Sequence, residues 1–270
     1  FLKLPLRGVS QMLKTITSRD NKVIKNIRAA EKKKGRAKTG LYLAEGKRLV
    51  GEAIRDVFDS VESVLASESF LEKNKDFINS LDKSGKIVYI TNDRLFDETA
   101  LTETPQGLAA LVKIPEYNIP NLDEMSYILI LDGISEPGNM GTIIRTAEAA
   151  GIDCIMLSRG CTDIYAPKVV RSSMGSLFRM KFCSFEYSDT DKLKAKGFTV
   201  AATALHNSVS VDDADVSGKR AIIIGSEANG VSDELINASD LCIRIDMCGK
   251  VESLNAAVAA GIAMYMFKAD

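Results

Sequence analysis

Three strand-to-helix junctions in the second half of the chain carry polar residues able to hold a ligand: Gly138-Asn-Met-Gly-Thr-Ile-Ile-Arg145, Gly225-Ser-Glu-Ala-Asn-Gly230 and Ile245-Asp-Met-Cys-Gly-Lys-Val-Glu-Ser-Leu-Asn255. Polar side chains gathered where buried strands end mark the ligand crevice of open α/β sheets. In the first junction the glycines allow close backbone approach, and the helix that follows offers N–H groups to an anion. Arg145, with Glu148 three positions on, is either an anion clamp or half of a surface Arg145–Glu148 pair. In the second, Glu227 directly follows Ile222-Ile-Ile-Gly-Ser226. A carboxylate there could serve as a base, a hydrogen-bond acceptor or a helix-entry charge complementing the dipole. In the third, Ser253 and Asn255 are neutral groups able to orient a hydroxyl, although spacing alone favours Ser253 as the N-cap of the last helix.

The same residues exclude other chemistries. The glycine spacing is not G-x-G-x-x-G, and no acidic residue ends a second strand, since Cys154 to Ser158 leads into Arg159 and Gly160. With no Walker lysine either, a phosphate-gripping NTPase and an NAD enzyme are set aside. Cys154, Cys161, Cys183, Cys242 and Cys248 show no CxxC spacing, and His206 is the single histidine, so the expectation is no metal. The odd number of cysteines, five, points to a reducing cytoplasmic compartment.

These loops need a scaffold, and the pattern predicts one. Tyr127-Ile-Leu-Ile-Leu-Asp132 is a near-continuous apolar run, as in a strand buried on both faces. Further strands are expected at Cys154–Leu157, Phe198–Ala202, Ala221–Ile224 and Leu241–Ile245. Helices are expected at Thr142–Ala150, Pro167–Ser173, Thr190–Lys196, Ser232–Ile236 and Leu254–Phe267, giving a mostly parallel sheet covered on both sides. Upstream, a basic helix from about Asp20 to Lys34 precedes strand Leu41–Ala44, helix Lys47–Val57 and strand Val61–Ala66. A helix near Ser69–Leu81, strand Ile87–Ile90, a helix near Asp93–Leu101 and strand Leu108–Val112 follow, a small α/β layer. Pro115, Asn118, Pro120 and Asn121 give Pro115 to Glu124 a linker composition. The expected domains are therefore 1–114 and 125–270, with 115–124 between them.

At 270 residues, 46% hydrophobic and 26% charged, the chain has the composition of a soluble globular protein. No apolar run reaches the roughly 18 residues needed to span a bilayer, so no membrane is expected. Phe1 to Gln11 lack the apolar core and cleavage site of a signal peptide and are read as preceding a native start at Met12. Charge is distributed unevenly: residues 1–50 hold 14 Lys/Arg against 3 Asp/Glu, the remainder 21 against 33. The basic arm is either a solvated helix face with a lysine-rich turn or a contact for a polyanion.

Taken in order, the three junctions resemble the three motifs of the SpoU (TrmH-type) branch of the SPOUT RNA ribose 2′-O-methyltransferases. Asn139-Met-Gly-Thr-Ile-Ile-Arg145 looks like the first, Ile224-Gly-Ser-Glu-Ala-Asn-Gly230 the second and Ile245 to Asn255 the third. The resemblance covers residues 125–270. It implies a C-terminal α/β domain with a deep trefoil knot, an exception to the rule against threaded chains. The N-terminal part, with Tyr42 and Glu45-Gly-Lys-Arg-Leu-Val50, is similar to the family's small RNA-substrate-binding domain, itself like RNA-binding ribosomal proteins.

The resemblance further implies a homodimer, a subunit contact suited to the Ala-rich face of the last helix, and S-adenosylmethionine as cofactor. Thr203, Ala204, Leu205, Gly225, Ile245, Met247, Ser253 and Leu254 become cofactor-binding residues, and Arg145, Asn139, Glu227, Ser253 and Asn255 the catalytic set. A guanidinium is a poor base, so Arg145 is read as a clamp on the neighbouring phosphate. Lys22, Lys25, Arg28, Lys32, Lys33, Lys34, Arg36 and Lys38 become RNA-binding residues. Cys248 is incidental, because ribose methylation needs no covalent adduct. Two domains favour ribosomal RNA over tRNA. A non-catalytic RNA-binding or ribosome-assembly factor is the rival, and the intact polar set argues against it.

Overall fold

The computed structural model describes residues 13–83, 85–116, 121–216, 218–251 and 253–267. The expected start at Met12 and residues 117–120 of the expected linker lie outside the described residues. Packing divides the chain into two units: one holds the described residues up to Pro115 with Tyr165–Arg171, the other Glu116–Ile164 and the described residues from Ser172 onward.

The first unit contains a five-stranded sheet. Its strands are β1 (Leu13–Thr15), β2 (Leu41–Glu45), β3 (Val61–Ser67), β4 (Val88–Thr91) and β5 (Leu108–Lys113), in the order β1-β4-β3-β5-β2. β4 runs parallel to β1 and β3, whereas β5 runs antiparallel to β3 and β2. Helices α1 (Lys22–Ala30), α2 (Lys33–Thr39), α3 (Lys47–Asp56), α4 (Glu68–Lys73), α5 (Lys75–Lys83) and α6 (Asp93–Asp97) connect them.

The single basic helix expected from Asp20 to Lys34 is two helices. Asn21 starts α1, its side chain accepting from Val23 N at 2.9 Å, and Ile24, Ile27 and Ala30 form the buried stripe. Lys32 then adopts an extended backbone (φ −104°, ψ 142°), so α2 restarts in a new direction. Gly35 permits the fold-back: a Cβ there would lie 1.9 Å from the Ala29 carbonyl oxygen. Arg36, expected among the RNA-binding cations, is corrected by this geometry. It is only 3% exposed, and its Nη1 donates to the carbonyls of Ala30 at 2.7 Å and Glu31 at 2.9 Å. Its guanidinium satisfies carbonyls that the end of α1 leaves without a helical partner.

The second unit holds a seven-stranded sheet. Its strands are β6 (Tyr127–Asp132), β7 (Cys154–Leu157), β8 (Phe182–Ser184), β9 (Thr199–Thr203), β10 (Val209–Ser210), β11 (Arg220–Gly225) and β12 (Leu241–Arg244). The order is β10-β12-β9-β11-β6-β7-β8, and every pairing is parallel. β8 and β10, of three and two residues, are too short for any periodicity to announce them. The helices of this unit are α7 (Pro137–Ala149), α9 (Asp189–Ala195), α10 (Asp233–Ala238) and α11 (Ala256–Met266), while α8 (Pro167–Ser172) falls, but for its last residue, in the first unit.

Helix α7 starts five residues earlier than expected. Pro137 presets the first helical φ, and the Glu136 carboxylate caps the turn by accepting from Asn139 N at 2.6 Å. Asn139 therefore sits on a helix turn rather than a loop. α11 packs on α7 and β11, and the Tyr127 hydroxyl at the start of β6 donates to the Met264 carbonyl at 2.8 Å. The Arg220 guanidinium lies 4.2 Å from the Tyr127 ring centroid, closing the other side of that ring. No helix of the described residues is long and apolar enough to cross a membrane.

Candidate functional site

Parallel strands end along one edge of their sheet, so the connections after β6, β11, β9 and β12, four adjacent strands, emerge together. Asn139 lies at the centre of the polar groups on this edge. Its Nδ2 donates to the Glu227 carboxylate, and its Oδ1 accepts from Asn255 Nδ2 at 3.0 Å. A residue from each sequence motif thus meets in one hydrogen-bonded chain. The two contacts also fix which way the Asn139 amide faces, since one requires a donor and the other an acceptor.

Each partner is placed by its own local structure. Asn255 is the N-cap of α11: its Oδ1 accepts from Ala257 N at 3.0 Å and Val258 N at 3.3 Å. The cap reading of Ser253 is corrected accordingly; Ser253 stands two residues before the cap and is exposed. Glu227 rides on a tight loop closed by Ser226 N to Gly230 O at 3.1 Å and Gly230 N to Ser226 O at 2.9 Å. That loop folds directly onto Gly225, where a Cβ would lie 1.9 Å from the Gly230 carbonyl carbon. A side chain at 225 is excluded by backbone, which cannot step aside.

Arg145 lies six residues beyond Asn139 on α7, exposed, with no hydrogen-bond or ion-pair partner among the described residues. The alternative Arg145–Glu148 surface pair does not form. Glu148 is engaged by Arg179, Nε to one carboxylate oxygen and Nη2 to the other at 3.0 Å. The structure thus joins Asn139, Glu227 and Asn255 directly, while Arg145 and Ser253 make no direct bond to them.

The residues expected to bind cofactor follow three adjacent strands. Thr203 closes β9, its Oγ1 donating to the Ile223 carbonyl at 3.0 Å, and Ala204 N donates to the Ile243 carbonyl at 2.9 Å. Leu205 comes next and is 63% exposed, Gly225 closes β11, and Ile245, Met247, Ser253 and Leu254 lie between β12 and α11. The Ser210 hydroxyl and the Arg244 guanidinium hold the Asp246 carboxyl below its usual range at the start of that connection. His206 and Cys248 are exposed side chains in these connections.

Sequence reading missed a support beneath the site. Asp132, buried at the end of β6, accepts from Ser158 Oγ at 2.7 Å and from Ser232 N at 2.9 Å. Ser158 Oγ in turn accepts from Gly133 N at 3.1 Å. One carboxylate ties together the connections after β6, β7 and β11. The signal was an aspartate closing a run of apolar residues, a position where a buried charge must have partners.

In the first unit, Lys22, Lys25, Arg28, Lys32, Lys33, Lys34 and Lys38 are all exposed on or beside α1 and α2. Lys25 reaches Asp20 at 2.9 Å.

Comparison with known proteins gives this arrangement a class. Residues 126–265 match the SpoU rRNA Methylase family, and residues 21–110 match the MRM3-like substrate binding domain. With its parallel sheet and the polar edge at the strand ends, the chain is an RNA methyltransferase of the α/β kind. It belongs to the SpoU rRNA Methylase family.

The chain is 35% identical, over 94% of its length and 98% of the relative's, to a Bacillus subtilis protein, 23S rRNA (guanosine(2553)-2'-O)-methyltransferase RlmP. The crystal structure of an rRNA methyltransferase from Sinorhizobium meliloti matches with a TM-score of 0.80 and 28% identity, covering 94% of this chain and 97% of that one. The SpoU methyltransferase AviRb from Streptomyces viridochromogenes, in complex with AdoMet, matches with a TM-score of 0.79 and 26% identity over 91% of this chain and 96% of its own.

Proposed function

We propose that this protein methylates a ribose 2′-hydroxyl of ribosomal RNA, with S-adenosylmethionine as the methyl donor. The observation that carries the reading is the Glu227–Asn139–Asn255 chain of hydrogen bonds at the strand ends of a SpoU-family domain. Support for ribosomal RNA comes from the substrate-binding match over residues 21–110 and from the Bacillus subtilis relative, whose name specifies 23S rRNA.

The residues present fit the cofactor. The described residues from Met247 to Ser253 lie in the irregular connection between β12 and α11, where peptide groups can face a purine and its ribose. Leu205 and Val251, 63% and 62% exposed, offer apolar surface in the connections after the adjacent strands β9 and β12. Thr203, Ala204, Leu205, Gly225, Ile245, Met247, Ser253 and Leu254 would hold it. When bound, S-adenosylmethionine supplies a methyl group activated by its sulfonium.

What remains for the protein is alignment, which for two bound reactants is worth many orders of magnitude. Asn139, locked between Glu227 and Asn255, is a rigid polar group beside which a ribose hydroxyl can be oriented. Ser253, exposed and unpaired with that chain of bonds, is available to the hydroxyl directly. Arg145 holds the adjacent phosphate, because a guanidinium serves as a clamp rather than a base. Lys22, Lys25, Arg28, Lys32, Lys33, Lys34 and Lys38 add affinity through counterion release.

Two further parts belong to this reading. Ala256, Ala257 and Ala260 of the Ala-rich face of α11 are buried within the subunit, so it is the exposed Val258, Tyr265 and Met266 that suit a homodimer contact. The return from β12, beyond β9, to α11 against α7 and β11 suits a knotted C-terminal segment. The cysteines are free, in keeping with the cytoplasm.

The test is to incubate the protein with labelled S-adenosylmethionine and purified ribosomal RNA or tRNA and to map the label. Label on a ribose 2′-oxygen of ribosomal RNA is expected. Transfer to a base, transfer to tRNA alone, or cofactor binding without transfer would overturn the proposal.

A further inference from the structure

We infer that Arg179 is a positioning residue for RNA: by engaging Glu148 it keeps the Arg145 guanidinium available to a substrate phosphate. The inference rests on the reading of Arg145 as the phosphate clamp. Helix α7 sets Arg145 and Glu148 three positions apart on one face, a spacing at which opposite charges pair. They do not pair. Glu148 turns instead to Arg179, which follows the short 3-10 turn Ser176–Phe178, and both carboxylate oxygens are used in a fork-to-fork contact.

Two features favour that competitor. A bidentate guanidinium–carboxylate contact is stronger than a single-point pair. The two side chains are also only 32% and 30% exposed, so solvent and salt screen them less than an open surface pair. Without Arg179, the Glu148 carboxylate would compete with a substrate phosphate for the Arg145 guanidinium three positions before it.

The experiment measures kcat and RNA KM, at saturating S-adenosylmethionine, for Arg145→Ala, Arg179→Ala, Arg179→Gln and the double variant Arg179→Ala/Glu148→Gln. Thermal unfolding of each is followed alongside. The expected result is that either Arg179 variant raises the RNA KM about threefold to tenfold, as one unscreened charge at this range would do, and less in high salt. S-adenosylmethionine affinity stays unchanged. Adding Glu148→Gln returns KM to within about twofold of the parent, because the competing charge is gone. A role limited to packing α7 predicts no such rescue. An unchanged KM in both Arg179 variants, or a double variant as impaired as the single one, overturns the inference while leaving the clamp reading intact. Normal KM and turnover in Arg145→Ala overturns the clamp reading itself, and this inference with it.

Discussion

Asn255 donates its side-chain amide to Asn139 Oδ1 at 3.0 Å, joining two residues 116 positions apart in the chain. Each does a second job at a helix start. Asn255 caps α11, while the Asn139 backbone N–H is held by the Glu136 carboxylate in the first turn of α7. The contact therefore locks two helix N-termini together, and Glu227 completes the lock from the other side of the Asn139 amide.

Asn139→Asp replaces the donor that faces Glu227 with a second carboxylate. The site should splay, with kcat for RNA methylation falling about 100-fold, the scale of a misplacement of roughly 1 Å. Cofactor affinity, measured by calorimetry, should change little. A kcat within about twofold of the parent would show that the Asn139 contacts are idle in catalysis.

Asn255 separates stability from activity. Asn255→Asp keeps an acceptor for Ala257 N and Val258 N but cannot donate to Asn139. It should retain the unfolding midpoint in urea yet lose turnover. Asn255→Ala loses both functions and should cost about 1 kcal/mol of stability as well. If the alanine variant unfolds at the same midpoint as the parent, the cap contributes nothing.

Gly225→Ala introduces a Cβ that the Gly230 backbone already blocks. The loop carrying Glu227 must shift, so S-adenosylmethionine binding and methylation should fail together while the sheet stays folded by circular dichroism. Retained cofactor affinity would place the cofactor away from this loop.

On α2 and its approach, replacing Lys32, Lys33 and Lys34 together with alanine should lower the slope of log K against log salt for RNA by about 2 to 3, since each phosphate contact contributes roughly 0.7 to 0.9. Arg36→Ala should behave differently. It removes the donor to the Ala30 and Glu31 carbonyls and should cost about 1–3 kcal/mol of stability with little change in that slope. Filter-binding titrations over a salt series, with urea unfolding of each variant, distinguish the two effects.

The Tyr127 hydroxyl gives an alkaline limb to stability. Burial pushes its phenol above the ordinary value, with Arg220 acting in the opposite direction. The folded state thus holds the proton more tightly than the unfolded chain does. Its contribution is complete below about pH 10 and declines as the pH rises past that value, where the unfolded chain ionises first. Tyr127→Phe should cost about 1 kcal/mol at neutral pH through the lost bond to the Met264 carbonyl, and should flatten the decline above pH 10. Urea midpoints from pH 7 to 11 test this; parallel curves for parent and variant would contradict it.

The long apolar strands and the junctions after them were legible in the amino-acid order. β6 and β11 are unbroken runs of buried residues, and turn residues bound them. Elements that depend on partners were not legible. β8 and β10 exist only because a neighbouring strand offers a ladder, and the break between α1 and α2 lies at the extended backbone of Lys32, with Gly35 permitting the close return to Ala29. Asp132 read as a strand end, and its role beneath three connections emerged only from the approach of Ser158 and Ser232.

The sequence by itself determined the residue types at the site and the order of the three junctions, because local spacing encodes strand, glycine turn and helix start. It also determined the basic character of the first helices, since charge is a property of composition. Tertiary structure decided which of those residues meet. Asn139, not Ser253, links the motifs, Arg36 caps a helix rather than facing solvent, and Glu148 turns from Arg145 to Arg179. Each outcome turns on a competition between partners distant in the chain, and only the folded arrangement sets the distances that decide it.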